Sequence, residues 1–263
     1  MAKAEAPKKS TTKAPRKADF YNDPNHNYLH YWDERKYEHA AEEIAIRKLL
    51  RGHHFKTAAD IGGGYGRLCL LLQHFADDVT LAEPSQQQLD IAADFLKGHP
   101  GIKRQLMQAD DLKFADDSID LLTMIRVMHH LPDPSSEFAE ISRVLSPEGY
   151  AIIEVANYAH FQNRMKHLVK GQRLPVKPVD IRSANRKTDD VIAFVNHNPK
   201  TVARQLELAG LHVVSKLSVS NLRSVRLKKI MPRELMLGAE KIVQRPLAKL
   251  SFGPSIFFLV RKG

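Results

Sequence analysis

Between residues 56 and 156 the chain alternates between two hydrophobic rhythms. Short, largely apolar runs at 57–61, 79–83, 119–125 and 150–156 have the length and composition of buried strands, and 102–107 reads as a further strand of the series. Between them, apolar residues recur at helical spacing over 67–75, from Ser85 to just before Gly98, and over 135–145. A helix over 38–50 precedes the first strand, with Ala41, Ile44, Ala45 and Leu49 on one face. Residues 146–149 (Ser-Pro-Glu-Gly) read as a turn. Strands and helices of these lengths in alternation predict a doubly wound parallel sheet with right-handed crossovers.

Beyond Asn157 the rhythm loosens. The pattern predicts a helix over 158–170, an irregular basic loop over 171–188, a short strand at 192–195 and a helix over 200–209. Residues 211–219 alternate as a sixth strand, and 255–260 form a seventh. Between these, 223–250 reads as one or two basic amphipathic helices. Such a segment can lie on a membrane or cover a pocket, and packing on its own sheet is the favoured role.

Charge divides what hydropathy unites. Residues 1–19 carry a net +4, residues 20–159 carry −9 and residues 160–263 carry +15. The first stretch, rich in Lys, Ala, Pro, Ser and Thr, reads as a disordered basic tail without the apolar core of a secretory signal. The last suggests an anionic partner: a charged substrate, an RNA backbone or a lipid headgroup. No apolar run reaches membrane-spanning length. A lone cysteine, Cys69, excludes an internal disulfide and a cysteine-rich metal site, so a cytoplasmic setting and no metal are expected.

The candidate chemistry starts where the first strand meets Gly62, Gly63, Gly64, Tyr65 and Gly66. Gly62 and Gly64 allow positive φ and close approach of a ligand to the backbone. The following helix would point its free N–H groups at the same spot. A dinucleotide site wants a third glycine at 67, where this chain has arginine. Asp60, two residues before Gly62, would repel a pyrophosphate and suits an ammonium or sulfonium group. Glu83, at the end of the second strand, can accept both ribose hydroxyls. S-adenosylmethionine meets these conditions, having both cations and no phosphate.

With these residues in place, the stretch from about 56 to 157 resembles the core of the class I S-adenosylmethionine-dependent methyltransferases, in the branch that includes the ubiquinone/menaquinone C-methyltransferases. The matching pieces are residues 59–67, Glu83-Pro84-Ser85, residues 110–114 with Asp117-Ser118-Ile119-Asp120, residues 129–134, and residues 141–149. The resemblance implies a Rossmann-like doubly wound seven-stranded sheet, its last strand antiparallel, with helical cap insertions. The tail would occupy 1–19, an N-terminal lid and helix 20–50, the cofactor-binding core 56–157, and the substrate-side part 158–263.

The same resemblance implies roles. Asp60, Gly62 and Gly64 would hold the methionine moiety, Glu83 the ribose, and Asp110 or Asp111 the adenine amino group. Arg126 would border the cofactor. Gly63 stands where the family often has cysteine, and Glu148 where it often has glycine; both departures read as harmless. The aromatic stretch Tyr21, Tyr28, His30, Tyr31, Trp32 and Tyr37 either packs on the domain edge or forms a lid. In a lid, Trp32 would stack and Arg35 would pair with a carboxylate. Methyl transfer from a sulfonium is an in-line displacement, needing a base only if the nucleophile must lose a proton. His129, His130 and His197 are candidates for that base, against the alternative that they are structural. The favoured acceptor is a small molecule, anionic or lipid-like. RNA is the alternative partner, although the Asn/Asp-Pro-Pro-aromatic stretch of base amino-methyltransferases is replaced here by Arg126, Val127, Met128 and His129. A non-catalytic cofactor-binding subunit is the third reading.

Overall fold

The computed structural model describes residues 32–183 and 192–263. The basic tail and Tyr21, Tyr28, His30 and Tyr31 lie outside the described residues. The framework is a seven-stranded sheet in the order β3-β2-β1-β4-β5-β9-β8. Its strands are β1 (Phe55–Ile61), β2 (Ala76–Glu83), β3 (Ile102–Leu106), β4 (Ile119–Met124), β5 (Leu145–Ala156), β8 (Leu211–Val219) and β9 (Ser255–Lys262). The first five pair in parallel, whereas β9 runs antiparallel to both β5 and β8. That is the expected architecture, including the single reversed strand. A two-stranded ribbon, β6 (Val179–Asp180) with β7 (Val195–Asn196), joins the end of β5 through His197, whose amide donates to the Ala156 carbonyl at 2.8 Å.

Helices cover both faces because the central strands are apolar on both. One apolar cluster gathers Leu71, Leu81, Leu121 and Phe257 with α1 (Lys36–Leu49). The other gathers Ile61, Leu122, Phe138 and Ile153 with α4 (Ser135–Val144) and α6 (Pro199–Leu208). Ser85 caps α3 (Gln86–Phe95) by accepting from the Gln88 amide, and Asn198 caps α6 by accepting from Lys200.

Several boundaries differ from the sequence reading. The helix expected over 67–75 shrinks to α2, Cys69–Leu72. Gly66 turns the chain at φ +85°, and the amides of Cys69, Leu71, His74 and Phe75 each reach the carbonyl three residues back. Only the Leu72 and Gln73 amides reach four residues back, so a single α-helical turn is left between tighter turns on either side. The turn at 146–149 is absorbed into β5 as an irregularity: Leu145 pairs with Ile119, and Tyr150 with Leu121. The helix expected from 158 starts late, as α5 (Phe161–Val169), because Asn157 is tied down by the carbonyls of Ser251 and Gly253.

The basic segment 223–250 becomes α7 (Val225–Ile230) and α8 (Arg233–Lys249), broken at Met231-Pro232, where proline cannot donate to the preceding turn. α8 packs on β8 and α1 through a face of Met236, Glu240, Gln244 and Ala248. The Tyr37 hydroxyl donates to Glu240 Oε2 at 2.8 Å, and Gln244 Nε2 donates to the Ala41 carbonyl at 2.9 Å. The buried face of α8 is thus half polar, while Leu235 and Ile242 look outward. Among the described residues no helix is long and apolar enough to cross a membrane.

Candidate active site

A cavity of about 550 Å³ opens where the carboxyl ends of β1, β2 and β4 meet. Ligand sites of open α/β sheets fall at such strand ends. Its floor is the glycine turn. Gly62 and Gly64 have φ of +63° and +59°, and a Cβ on Gly62 would lie 2.5 Å from Val127 Cγ2. The turn is held by Glu83, which is buried and uses both carboxylate oxygens. Oε2 accepts from the Gly64 amide at 2.9 Å, and Oε1 accepts from the Ser85 amide at 3.0 Å.

Asp60 lies under the turn, 1 % exposed, with Oδ1 accepting from Thr123 Oγ1 at 2.6 Å. Burial pushes its carboxyl up to about 6, partly offset by the Thr123 bond and the nearby Arg67 charge. The sign of the consequence differs between folding and binding. A raised carboxyl contributes stability that is complete below the ordinary value of 3.8 and is lost as pH rises through about 6. A cationic ligand, by contrast, needs the ionised form. Its dissociation constant is expected to rise about tenfold per pH unit below about 6, readable by calorimetry across a pH series. A flat profile through that window would remove Asp60 from the binding step.

Gly63 corrects one expectation. A Cβ there would stand 2.4 Å from Asp60 Oδ2 and 2.6 Å from Leu81 Cδ1. Asp60 is short, buried and tied to Thr123, so it has nowhere to retreat. Glycine at this position is a requirement of this chain. Gly63→Ala is expected to displace the carboxylate and weaken cofactor affinity by about tenfold or more, the scale of one lost charge-assisted hydrogen bond. Glu148, the other departure, is on the surface with its side chain 87 % exposed.

The wall opposite Glu83 is an ion-pair network centred on Glu42 of α1. Glu42 is fully buried. Its Oε2 accepts from Arg67 Nη2 at 2.6 Å, and its Oε1 accepts from Arg126 Nε at 2.7 Å and lies 2.6 Å from Arg126 Nη2. Burial pushes the Glu42 carboxyl up, but the Arg126 and Arg67 guanidiniums outweigh it and hold it below the usual carboxylate range. Trp32 closes the network, with the Arg67 guanidinium 3.6 Å above its ring and that of Arg126 at 5.8 Å. Arg126 takes a left-handed φ of +65°, and its amide donates to buried Glu154.

Of the residues singled out by sequence, Trp32, Asp60, Gly62, Gly64, Glu83, Asp110, Arg126 and His130 all line this cavity. Asp111 and Arg35 are not among its lining residues; Asp111 pairs with Lys113 at 2.5 Å on the surface. His129 is buried behind the wall, its ring 3.9 Å from that of His130 and 4.5 Å from Phe194. Burial, followed by His130 and Arg126, holds it well below the usual histidine range. His197 is also buried, its Nε2 donating to the Met128 carbonyl at 2.9 Å. Three lining residues escaped the sequence reading: Gln108, Glu137 and, as an ion-pair partner, Arg67. Only Arg67 left a signal, as the arginine replacing a glycine.

A nucleotide-type cradle with a buried carboxylate beneath it and no phosphate-binding third glycine defines an α/β domain for a phosphate-free, cationic nucleoside cofactor. Residues 59–153 match the family described as "Methyltransferase domain". This stretch is similar to the core of S-adenosylmethionine-dependent methyltransferases, which points to S-adenosylmethionine as the cofactor. The chain is 29 % identical over 131 residues to the uncharacterized methyltransferase YcgJ of Bacillus subtilis, covering 49 % of this chain and 51 % of that one. It spans about half the length of the first curated relatives it matches. Solved structures share the fold over more of the chain. An S-adenosylmethionine-dependent methyltransferase from Mesorhizobium loti superposes with TM-score 0.59 at 17 % identity, over 86 % of this chain and all of that one. The 1,6-didemethyltoxoflavin-N1-methyltransferase of Burkholderia thailandensis does so with TM-score 0.57 at 16 % identity, over 89 % and 83 %.

Proposed function

We propose that the protein transfers a methyl group by in-line displacement from S-adenosylmethionine to a small-molecule or lipid-like acceptor. The observation that carries the acceptor class is the make-up of the cavity. From the glycine turn it continues to Val127, Leu131 and Ile192, an apolar wall, and the two arginines bordering it are already paired with Glu42. The +15 of residues 160–263 contributes none of the cavity's cations among the described residues. A polyanion would find little to neutralise it there; an apolar acceptor would find contact surface and exclusion of water.

In this reading Asp60 and the Gly62–Gly64 backbone orient the methionine part, Glu83 takes the ribose hydroxyls and Asp110 faces the adenine amino group. The bound cofactor supplies an electrophilic methyl carbon on a sulfonium. The fold neighbour from Burkholderia thailandensis was solved with 1,6-didemethyltoxoflavin and S-adenosylhomocysteine bound, which supports a small-molecule acceptor. His130, which lines the cavity, would take a proton where the acceptor has one to lose. Its Nδ1 lies 3.1 Å from the Ala193 carbonyl and so must donate, which makes Nε2 the basic nitrogen.

The test is transfer of a labelled methyl group from S-adenosylmethionine to fractionated extract. Label in the metabolite or lipid fraction is expected. Label in RNA would overturn the acceptor class, and no calorimetric binding of the cofactor would overturn the enzyme reading. With an acceptor in hand, His130→Gln should lower turnover about a hundredfold and leave cofactor affinity unchanged if a proton is transferred. An unchanged turnover would assign His130 to packing.

A further inference from the structure

The basic C-terminal half, which the cavity does not use, gathers at the same edge of the sheet. α5 follows the carboxyl end of β5, and none of its nine residues is buried. Phe161, Met165, Leu168 and Val169 fall at i, i+4, i+7 and i+8, so they share one helical face. They are 49 %, 42 %, 70 % and 83 % exposed, whereas most large apolar side chains of the sheet are sealed. The helix is anchored at its start, where the Phe161 amide donates to the Phe252 carbonyl at 3.0 Å and the two rings stack at 5.1 Å, and on its other face by His167 against the Tyr158 hydroxyl at 3.3 Å. The rest of the stripe projects outward.

The charge around this stripe is of one sign. No aspartate or glutamate occurs between Glu154 and Asp180, a stretch that holds Arg164, Lys166, Lys170, Arg173 and Lys177. The segment leading into α7 lies close by, since Arg223 acts on His160 at the α5 start and, after burial, helps hold it below the usual histidine range. α7 repeats the composition: exposed Val225 and Ile230 stand beside Arg226 and Lys229, while Lys228 pairs with Glu38 at 2.7 Å. Between Glu207 and Glu234 the chain again has no acid. Two short cationic segments with outward apolar side chains therefore flank the edge where the cavity opens.

We propose that this edge docks on an anionic phospholipid surface, with the α5 stripe entering the headgroup boundary and the surrounding lysines and arginines meeting lipid phosphates and carboxylates. Charge complementarity selects the partner. A second copy of the chain would bring another set of cations against these. An RNA backbone would match the charge and leave four apolar side chains in water. An amphipathic cationic helix lying in the interface satisfies both halves of the surface. The inference goes beyond the acceptor reading and does not depend on it, because vesicle binding is measured without cofactor or acceptor.

The experiment is flotation of the full chain with vesicles of phosphatidylcholine alone and of phosphatidylcholine mixed with phosphatidylserine. Binding is expected to the mixed vesicles only, and to weaken as salt is raised. Leu168→Glu/Val169→Glu should lower binding about tenfold or more, since it removes apolar burial and adds repulsion. Lys166→Glu/Lys170→Glu should do likewise with the stripe intact. All of these residues are exposed, so the variants should keep the wild-type melting temperature and cofactor affinity. Failure of the wild type to float with mixed vesicles overturns the proposal. So does equal flotation of the stripe variant, which would assign binding to another basic segment. A change from dimer to monomer on introducing the stripe variant, read by sedimentation, would show that the face belongs to a second copy.

Discussion

Replacing Glu42 with alanine is expected to destabilise the fold by about 3–5 kcal/mol, the cost of leaving buried charges without their partner. The carboxylate is fully buried, and both of its oxygens are occupied by guanidiniums, of which Arg67 is nearly as buried as Glu42 itself. Truncation leaves two cations facing each other across an apolar gap beneath Trp32. The loss is best read from urea unfolding, where a lower midpoint at constant slope isolates stability from changes in compactness. Glu42→Gln should fall between wild type and alanine, keeping one acceptor and losing the charge. A cost for alanine below about 1 kcal/mol would mean that water reaches the arginines and that the network is worth no more than a surface pair.

The same variant has a second consequence. Arg67 follows the glycine turn, and Arg126 sits at the end of β4 in a left-handed backbone conformation that non-glycine residues hold only under constraint. Glu42 is the common partner that fixes both, and through Arg67 it seats Trp32 against the cavity. Cofactor affinity should therefore fall along with stability. The loss should persist under conditions where the variant is fully folded.

What could be read from the chain in advance follows from how local each interaction is. β1, β2, β4 and the glycine turn were legible because buried parallel strands and a φ-positive turn are each written in a handful of adjacent residues. Glu42 was not. The apolar spacing in α1 placed Ile44 on the inward face, yet Ile44 is half-buried while Glu42 and Ile46 are sealed. An acid on a buried helix face is intelligible only through its partners, and these lie 25 and 84 residues away. α8 fails for the same reason, since its inward Glu240 and Gln244 are matched by Tyr37 and Ala41 at the other end of the chain. The shortened α2 had a local cause in Gly66, but its effect depends on a φ that sequence leaves open.

Glu83→Ala is expected to weaken S-adenosylmethionine binding about a hundredfold or more, because in the proposed role one side chain would serve two purposes. Its oxygens accept from the Gly64 and Ser85 amides, and so pin the glycine turn to the end of β2. A carboxylate oxygen can accept more than one hydrogen bond, so the proposed ribose contacts are compatible with those to the turn. Charged hydrogen bonds contribute about 1.5–3 kcal/mol apiece, so losing the ribose contacts alone reaches this scale before any loosening of the turn. Glu83→Gln separates the two effects. Its amide nitrogen must face either the Gly64 or the Ser85 N–H, donor against donor, so the turn should be disturbed even though the side chain keeps its size. If glutamine binds S-adenosylhomocysteine as weakly as alanine does, pinning the turn dominates. If glutamine retains most of the affinity, the ribose contacts dominate. Wild-type affinity in both variants, measured by calorimetry, would remove Glu83 from the cofactor site and shift the ribose to another acceptor on the cavity wall, of which Gln108 and Asp110 are the nearest in kind.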